Sequence, residues 1–66
     1  MKIKVNGTVT EVTDGASVGD LVRERTDDRR RVAVARNGEV VPRGEWEAAR
    51  LSEGDLIEVL APVAGG

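Results

Sequence analysis

Apolar and polar side chains alternate over the first five residues, which is the pattern of a β-strand that buries one face. Asn6-Gly7 interrupts this alternation and supplies the two positive φ angles that a type I′ hairpin turn requires. The turn therefore predicts two antiparallel strands in a fixed register. The predicted pairs are Met1 with Val12, Ile3 with Thr10 and Val5 with Thr8, while Val9 faces away from the buried side.

A short amphipathic helix is predicted after this hairpin. Ser17 and Asp20 have the spacing of a capping box, in which both side chains satisfy backbone N–H groups of the first turn. Gly19 would weaken the helix by up to about 1 kcal/mol if it lies in the interior. The apolar stripe comprises Val18, Leu21, Val22 and the stem of Arg25. Because a stripe of two turns cannot sustain an isolated helix, we expect it to pack across a sheet.

A second strand pair is predicted in the middle of the chain. Residues 31–36 alternate again, with Val32 and Val34 on one face. Asn37-Gly38 repeats the hairpin signal and leads into Val40-Val41. Pro42 then withdraws a backbone donor and ends regular pairing.

Two connecting segments separate this pair from the last strand. Residues 43–51 are interpreted as a short turn or half-helix that carries Trp46, the only aromatic residue. In so small a domain, a tryptophan is expected to be a core anchor or a lid. Residues 52–55 have the composition of a tight turn.

The last predicted strand, residues 56–63, is apolar on both faces. A strand of this kind is either central and covered, or it offers one face to a partner. The alternation alone leaves both interpretations open. One face carries Ile57, Val59, Ala61 and Val63, and the other carries Leu56, Glu58, Leu60 and Pro62.

Composition and charge exclude several classes of function. A chain of 66 residues forms one domain with no room for a deep cleft. It has no cysteine and no histidine, which removes thiolate nucleophiles, disulfides and the usual general base. The net charge of −2 argues against nucleic-acid binding. No signal peptide or membrane span is predicted, so we expect a cytoplasmic protein without a membrane association.

One catalytic motif in the sequence is interpreted as structural. Residues 15–19 match the G-x-S-x-G pattern of serine hydrolases and lie between a predicted strand and a predicted helix. Without a histidine no base can activate Ser17, so the serine is assigned to helix capping. We therefore predict no catalytic residue, no metal site and no enzymatic activity.

The end of the sequence offers a different chemistry. Gly65 and Gly66 add no side-chain bulk, so an extended tail could enter a tunnel too narrow for other residues. The two-sided apolar strand runs directly into this tail. Several features occur together in this chain: the order of elements, Val40-Val41-Pro42-Arg43 with Trp46, Gly54-Asp55, Ile57 and Val59, and Ala64-Gly65-Gly66. With these features the chain resembles the ThiS family of ubiquitin-like sulfur carrier proteins of thiamine biosynthesis.

The resemblance implies a β-grasp fold of the α+β class. This is a mixed sheet of four to five strands, with the first and last strands parallel and central, and one main helix across it. We accordingly expect a single domain over residues 1–63 and a flexible tail over residues 64–66. The free protein is expected to be a monomer.

The same resemblance implies a chemistry for the tail. A ThiF-type adenylating enzyme would use ATP and magnesium to activate the Gly66 carboxylate. Sulfur drawn from cysteine through a desulfurase would replace AMP and leave a thiocarboxylate. A ThiG-type thiazole synthase would then accept the sulfur while it builds the thiazole ring. The chain itself would bind no cofactor.

The implied site residues are few. Gly66 is the sulfur attachment position, with Ala64 and Gly65 as the tail that delivers it. Partner docking is assigned to Leu56, Leu60, Pro62 and Val63. Three alternatives remain open. The first is a sulfur carrier for another pathway, such as the small subunit of molybdopterin synthase or a carrier for cysteine or thionucleoside synthesis. The second is a ubiquitin-like modifier conjugated through Gly66, and the third is an interaction module whose tail has no role.

Overall fold

The computed structural model describes residues 1–26 and 31–60. Within these ranges no helix is long and apolar enough to cross a membrane. The elements are β1 (Lys2–Val5), β2 (Thr8–Glu11), α1 (Val18–Arg25), β3 (Ala33–Arg36), β4 (Glu39–Val40), a 3₁₀ turn (Arg43–Glu45) and β5 (Leu56–Leu60).

The five strands form one mixed sheet in the order β2-β1-β5-β3-β4. The first and last strands are parallel neighbours, with Lys4 opposite Leu56 and Val5 opposite Ile57. The other neighbouring pairs are antiparallel. A mixed sheet with parallel first and last strands at its centre and one helix is the β-grasp arrangement, so the fold expected from the resemblance is confirmed.

Both predicted hairpins are present. Asn6 and Asn37 each have a φ of 51°, and Gly7 and Gly38 follow with φ of 83° and 86°. These are the positive angles that a type I′ turn needs. The predicted register of the first hairpin is confirmed, with Val5 opposite Thr8 and Ile3 opposite Thr10, and Val9 is exposed as expected.

The predicted helix start is also confirmed. The Asp20 N–H donates to the Ser17 hydroxyl at 3.1 Å, and the Ser17 N–H donates to the Asp20 carboxylate at 3.0 Å. The Ser17 N–H and the Arg23 guanidinium lower the pKa of Asp20 below its usual value. The stripe residues Val18, Leu21 and Val22 are buried as predicted, and Arg25 in the last turn is exposed as a whole residue. The helix ends at Arg25 and the backbone of Thr26 is extended, so no further turn continues the packed face.

Gly19 has a role in packing that its low helix propensity does not indicate. It is buried in the first turn of α1, and its N–H donates to the carbonyl of Trp46 at 3.0 Å. A Cβ atom here would overlap the carboxylate of Glu47. That carboxylate accepts from Arg23 at 2.6 Å, so the missing side chain leaves room for an ion pair beside the helix.

The hydrophobic core lies between α1 and one face of the sheet. Trp46 is part of it at 3% exposure, and its indole N–H donates to the carbonyl of Val41 at 2.9 Å. The prediction of a core anchor is therefore confirmed. The buried apolar residues are Ile3, Val5, Val18, Leu21, Val22, Val32, Val34, Trp46, Leu51 and Ile57.

Candidate functional site

The candidate site is built on β5, the central strand that leads toward the end of the chain. The described part of this strand is Leu56–Leu60, within the predicted span of residues 56–63. The reactive position Gly66, the tail residues Ala64 and Gly65, and the docking candidates Pro62 and Val63 lie outside the described residues. Among the predicted site residues, Leu56 and Leu60 are the two that the structure places.

Leu56 and Leu60 lie on the side of the sheet opposite the helix. They are 55% and 62% exposed, whereas Ile57 between them is 1% exposed. The alternation predicted for this strand is present, and β5 is covered on one face only. Exposed leucines on a central strand are a typical docking surface.

The neighbouring strands extend this open face, which we call the open sheet face. Val9 lies opposite Lys4, which in turn lies opposite Leu56, and Ala33 lies opposite Leu60. A groove of about 390 Å³ at the start of β5 is lined by Val9 and Leu56 among others. The large apolar residues exposed in the described ranges are Val9, Val40, Leu56 and Leu60.

The beginning of β5 is anchored by Asp55, a buried carboxylate at 6% exposure. It accepts from the Ser52 N–H at 2.8 Å and from the Asn37 side-chain amide at 3.2 Å. The Arg36 guanidinium lies 2.9 Å from the same carboxylate. Burial raises the pKa of Asp55, but the hydrogen bonds from Ser52 and Asn37 and the charge of Arg36 outweigh it, so the pKa is lower than usual. The Gly-Asp signal in the sequence therefore marks the anchor of the site strand.

Two asparagine side chains hold β5, which the sequence analysis did not predict. The Asn37 side-chain oxygen accepts from the Leu56 N–H at 3.0 Å. Asn6 bonds Val59 twice: its side-chain oxygen accepts from the Val59 N–H at 2.9 Å, and its side-chain NH₂ donates to the Val59 carbonyl at 3.1 Å. The sequence signal for these bonds is that both turns contain Asn. Because Asn also tolerates the positive φ of the turn, its presence does not by itself indicate a bond to β5. The partners lie too far along the chain to be deduced.

The described residues form a second groove away from β5 and no metal-binding cluster. No group of three or more metal-binding side chains occurs within residues 1–26 and 31–60. A second groove, of about 550 Å³, lies beside α1, away from β5, and includes Asp14, Asp20 and Glu24 in its lining. What the described part of β5 offers is an apolar open face on a strand held within the sheet.

Comparison with known proteins gives consistent results. The model of the ThiS family matches residues 3–66. The chain is 29% identical to the sulfur carrier protein ThiS of Escherichia coli, with both chains covered completely. It is 35% identical over 66 residues to a thiazole synthase of Paramagnetospirillum magneticum, and it spans only 20% of that protein's length.

Solved structures agree in fold. The crystal structure of the thiamine biosynthesis protein ThiS from Geobacter metallireducens superimposes with a TM-score of 0.83 at 30% identity, with complete coverage of both chains. A solution NMR structure of a thiamine biosynthesis protein from the same organism superimposes with a TM-score of 0.82 at 30% identity. The match covers the whole of this chain and 88% of the NMR chain.

Proposed function

The chain belongs to the ThiS family, and on that premise we propose that it is a sulfur carrier of thiamine biosynthesis whose Gly66 carboxylate is converted to a thiocarboxylate. The observation that carries the proposal is that the family match extends through Gly66. The likeness to the E. coli sulfur carrier over its whole length supports the same role. The chain acts as a carrier and not as a catalyst.

The tail supplies the chemistry. A terminal carboxyl has a pKa near 3.3 to 3.7 in model compounds, so at neutral pH it is the anion that attacks the α-phosphate of ATP. Pyrophosphate leaves and an acyl adenylate forms. The persulfide of a cysteine desulfurase attacks the acyl carbon and AMP leaves, which gives an acyl disulfide. A second thiol, such as free cysteine, reduces this disulfide, is itself oxidised to a disulfide, and releases the thiocarboxylate. Because the chain has no cysteine, the sulfur is carried on the backbone carboxyl.

The activating enzyme must supply the electrostatics. An anionic tail is repelled by the phosphates of ATP, and residues 61–66 contain no cationic side chain to offset this. Magnesium and positive groups that stabilise the developing charge therefore belong to a ThiF-type partner. The carrier contributes a slender tail and a docking face comprising Leu56, Leu60, Pro62 and Val63.

The comparison with the thiazole synthase supports the identity of the acceptor. A stretch similar to this chain occupies one fifth of that longer protein. Sequences that are joined in one polypeptide commonly act on each other. We infer that a ThiG-type thiazole synthase accepts sulfur from Gly66 of this chain.

Intact mass spectrometry tests the proposal. Incubation with a ThiF-type enzyme, a cysteine desulfurase, cysteine, ATP and magnesium should convert the chain to a form heavier by one oxygen-to-sulfur exchange. A variant that lacks Gly65 and Gly66 should not be converted, while its denaturation midpoint stays that of the parent, because no described core residue is removed. Conversion of the shortened chain would contradict the carrier role.

Two further measurements separate the carrier of thiamine biosynthesis from the other candidate functions, and the first is mass spectrometry of protein from the native host. Branched peptides that join Gly66 to a lysine would identify a modifier instead. Sulfur transfer from the loaded carrier to a molybdopterin precursor, and not to thiazole synthase, would assign it to the other pathway. A polypeptide that continues past Gly66 without trimming would contradict both forms of the carrier.

A further inference from the structure

The hydrogen bonds of Asn6 continue the central ladder of the sheet beyond the end of β1. In the parallel ladder, the Lys4 N–H donates to the Asp55 carbonyl and the Asn6 N–H donates to the Ile57 carbonyl, both at 2.9 Å. The next rung should involve Val59. The main chain cannot supply it, because the hairpin turns the chain away at Asn6 and Gly7.

The Asn6 side chain supplies this rung. A side-chain amide carries a carbonyl acceptor and an N–H donor in one plane, as a peptide group does. Its oxygen accepts from the Val59 N–H at 2.9 Å and its NH₂ donates to the Val59 carbonyl at 3.1 Å. Val59 is therefore paired on this side as it would be by another strand.

This pairing fixes the last described residues of β5. On its other side β5 is held by β3, with Val34 opposite Val59 and Ala33 opposite Leu60. Without the Asn6 side chain, the N–H and the C=O of Val59 would lose these two bonds, and this part of β5 would be held by β3 alone.

We propose that Asn6 is a positioning residue, which clamps Val59 and so holds the last described residues of β5 in a fixed orientation. The consequence for transfer rests on the proposed function. Gly66 is the sixth residue after Leu60, a reach of roughly 20 Å when extended. For so short a tether, the angle at its base controls how often the carboxylate meets ATP in the docked complex.

The second hairpin provides a matched control. Asn37 has the same φ of 51° and also bonds β5, but at Leu56, at the opposite end of the strand from the tail. Asn6→Gly and Asn37→Gly both keep a residue that tolerates positive φ, and both remove the side-chain bonds to β5. They differ in which end of β5 is released, and Asn37→Gly also removes the bond to the Asp55 carboxylate.

The experiment measures adenylation by a ThiF-type enzyme with the carrier as the varied substrate. We expect Asn6→Gly to lower kcat about tenfold, because the carboxylate is misplaced in the docked complex. Its KM should change less, because Leu56 and Leu60 are intact. Asn37→Gly should leave kcat within about twofold of the parent. Asn6→Asp, which keeps the acceptor for Val59 and loses the donor, should restore part of kcat.

A second measurement is independent of any partner. Amide hydrogen exchange followed by NMR should show faster exchange at Val59 in Asn6→Gly than in the parent and in Asn37→Gly. Unchanged exchange at Val59 would overturn the clamp. Equal losses of kcat in the two glycine variants, alongside equal losses of stability, would make Asn6 a structural residue only. If the parent chain is not adenylated at all, the proposed function fails, while the exchange result still decides the clamp.

Discussion

The two faces of β5 both carry aliphatic side chains, but they differ in solvent exposure. Ile57 on the inner face is 1% exposed beneath the helix layer, whereas Leu56 and Leu60 on the outer face are more than half exposed. The inner face contributes to folding, because apolar area is removed from water there. The outer face buries less apolar area on folding, so its leucines remain available to a partner. Burial, and not residue type, separates the two roles.

Removing the buried isoleucine should give the largest contrast between the faces. Ile57→Ala should lower the free energy of unfolding by about 3 kcal/mol, because it leaves a cavity in the core. Leu56→Ala, one residue away on the open face, should change it by less than about 0.5 kcal/mol. Urea denaturation followed by Trp46 fluorescence measures both. If Ile57→Ala does not fold, Ile57→Val should still show a loss of about 1 kcal/mol. Equal effects at Ile57 and Leu56 would remove the contrast.

A charge on the open face should affect binding instead of stability. Leu60→Glu should weaken binding to the activating enzyme by about 2 kcal/mol, or roughly thirtyfold. Its free energy of unfolding should stay within about 0.5 kcal/mol of the parent. Val40→Glu is the control, because Val40 is exposed on the same face but on the edge strand β4. Calorimetric titration measures the binding. A comparable loss of stability in Leu60→Glu would show that Leu60 belongs to the core.

The smallest effect concerns the buried charge at the start of β5. The pKa of Asp55 is lower in the folded state than its usual value, so its contribution to stability is present at neutral pH. The loss of that contribution begins as the pH falls below the unfolded-state pKa of about 4, and it is complete once the pH is below the lower folded-state pKa. Asp55→Asn should therefore destabilise the protein by about 1 kcal/mol at pH 7 and by much less at pH 2. Denaturation midpoints at the two pH values measure this.

One control applies to the pH prediction. Asp20 also has a lowered pKa but is more exposed, so the difference between Asp20→Asn and the parent reports the share of the pH dependence that comes from Asp20. An Asp55→Asn variant whose destabilisation is the same at both pH values would contradict the assignment. The loss would then come from packing and not from ionisation.

Local interactions made much of the fold predictable from the sequence. Asn-Gly determines its own turn, and Ser17 and Asp20 cap a helix through atoms three residues apart. The parallel pairing of β1 with β5 is not a local interaction, because it joins residues about fifty positions apart. No local pattern encodes it, and it was expected only through the family resemblance.

The candidate site was predictable only in part, for the same reason. Alternation correctly separated Leu60 from Ile57 but could not decide whether one face or both would be covered, because that depends on how many layers pack on the sheet. The bond between Asn6 and Val59 spans 53 residues. The turn already accounts for Asn6, so nothing in the sequence points to this second role.

The placement of β5 between β1 and β3 has a consequence for synthesis on the ribosome. The first strand acquires its parallel neighbour only when residues 56–60 have left the exit tunnel, so the sheet cannot close before then. A chain that is released early would lack the sheet's central strand and would expose the core to proteases. Proteolysis would thus remove unfinished copies, and those that survive would be chains long enough to have been translated past the central strand.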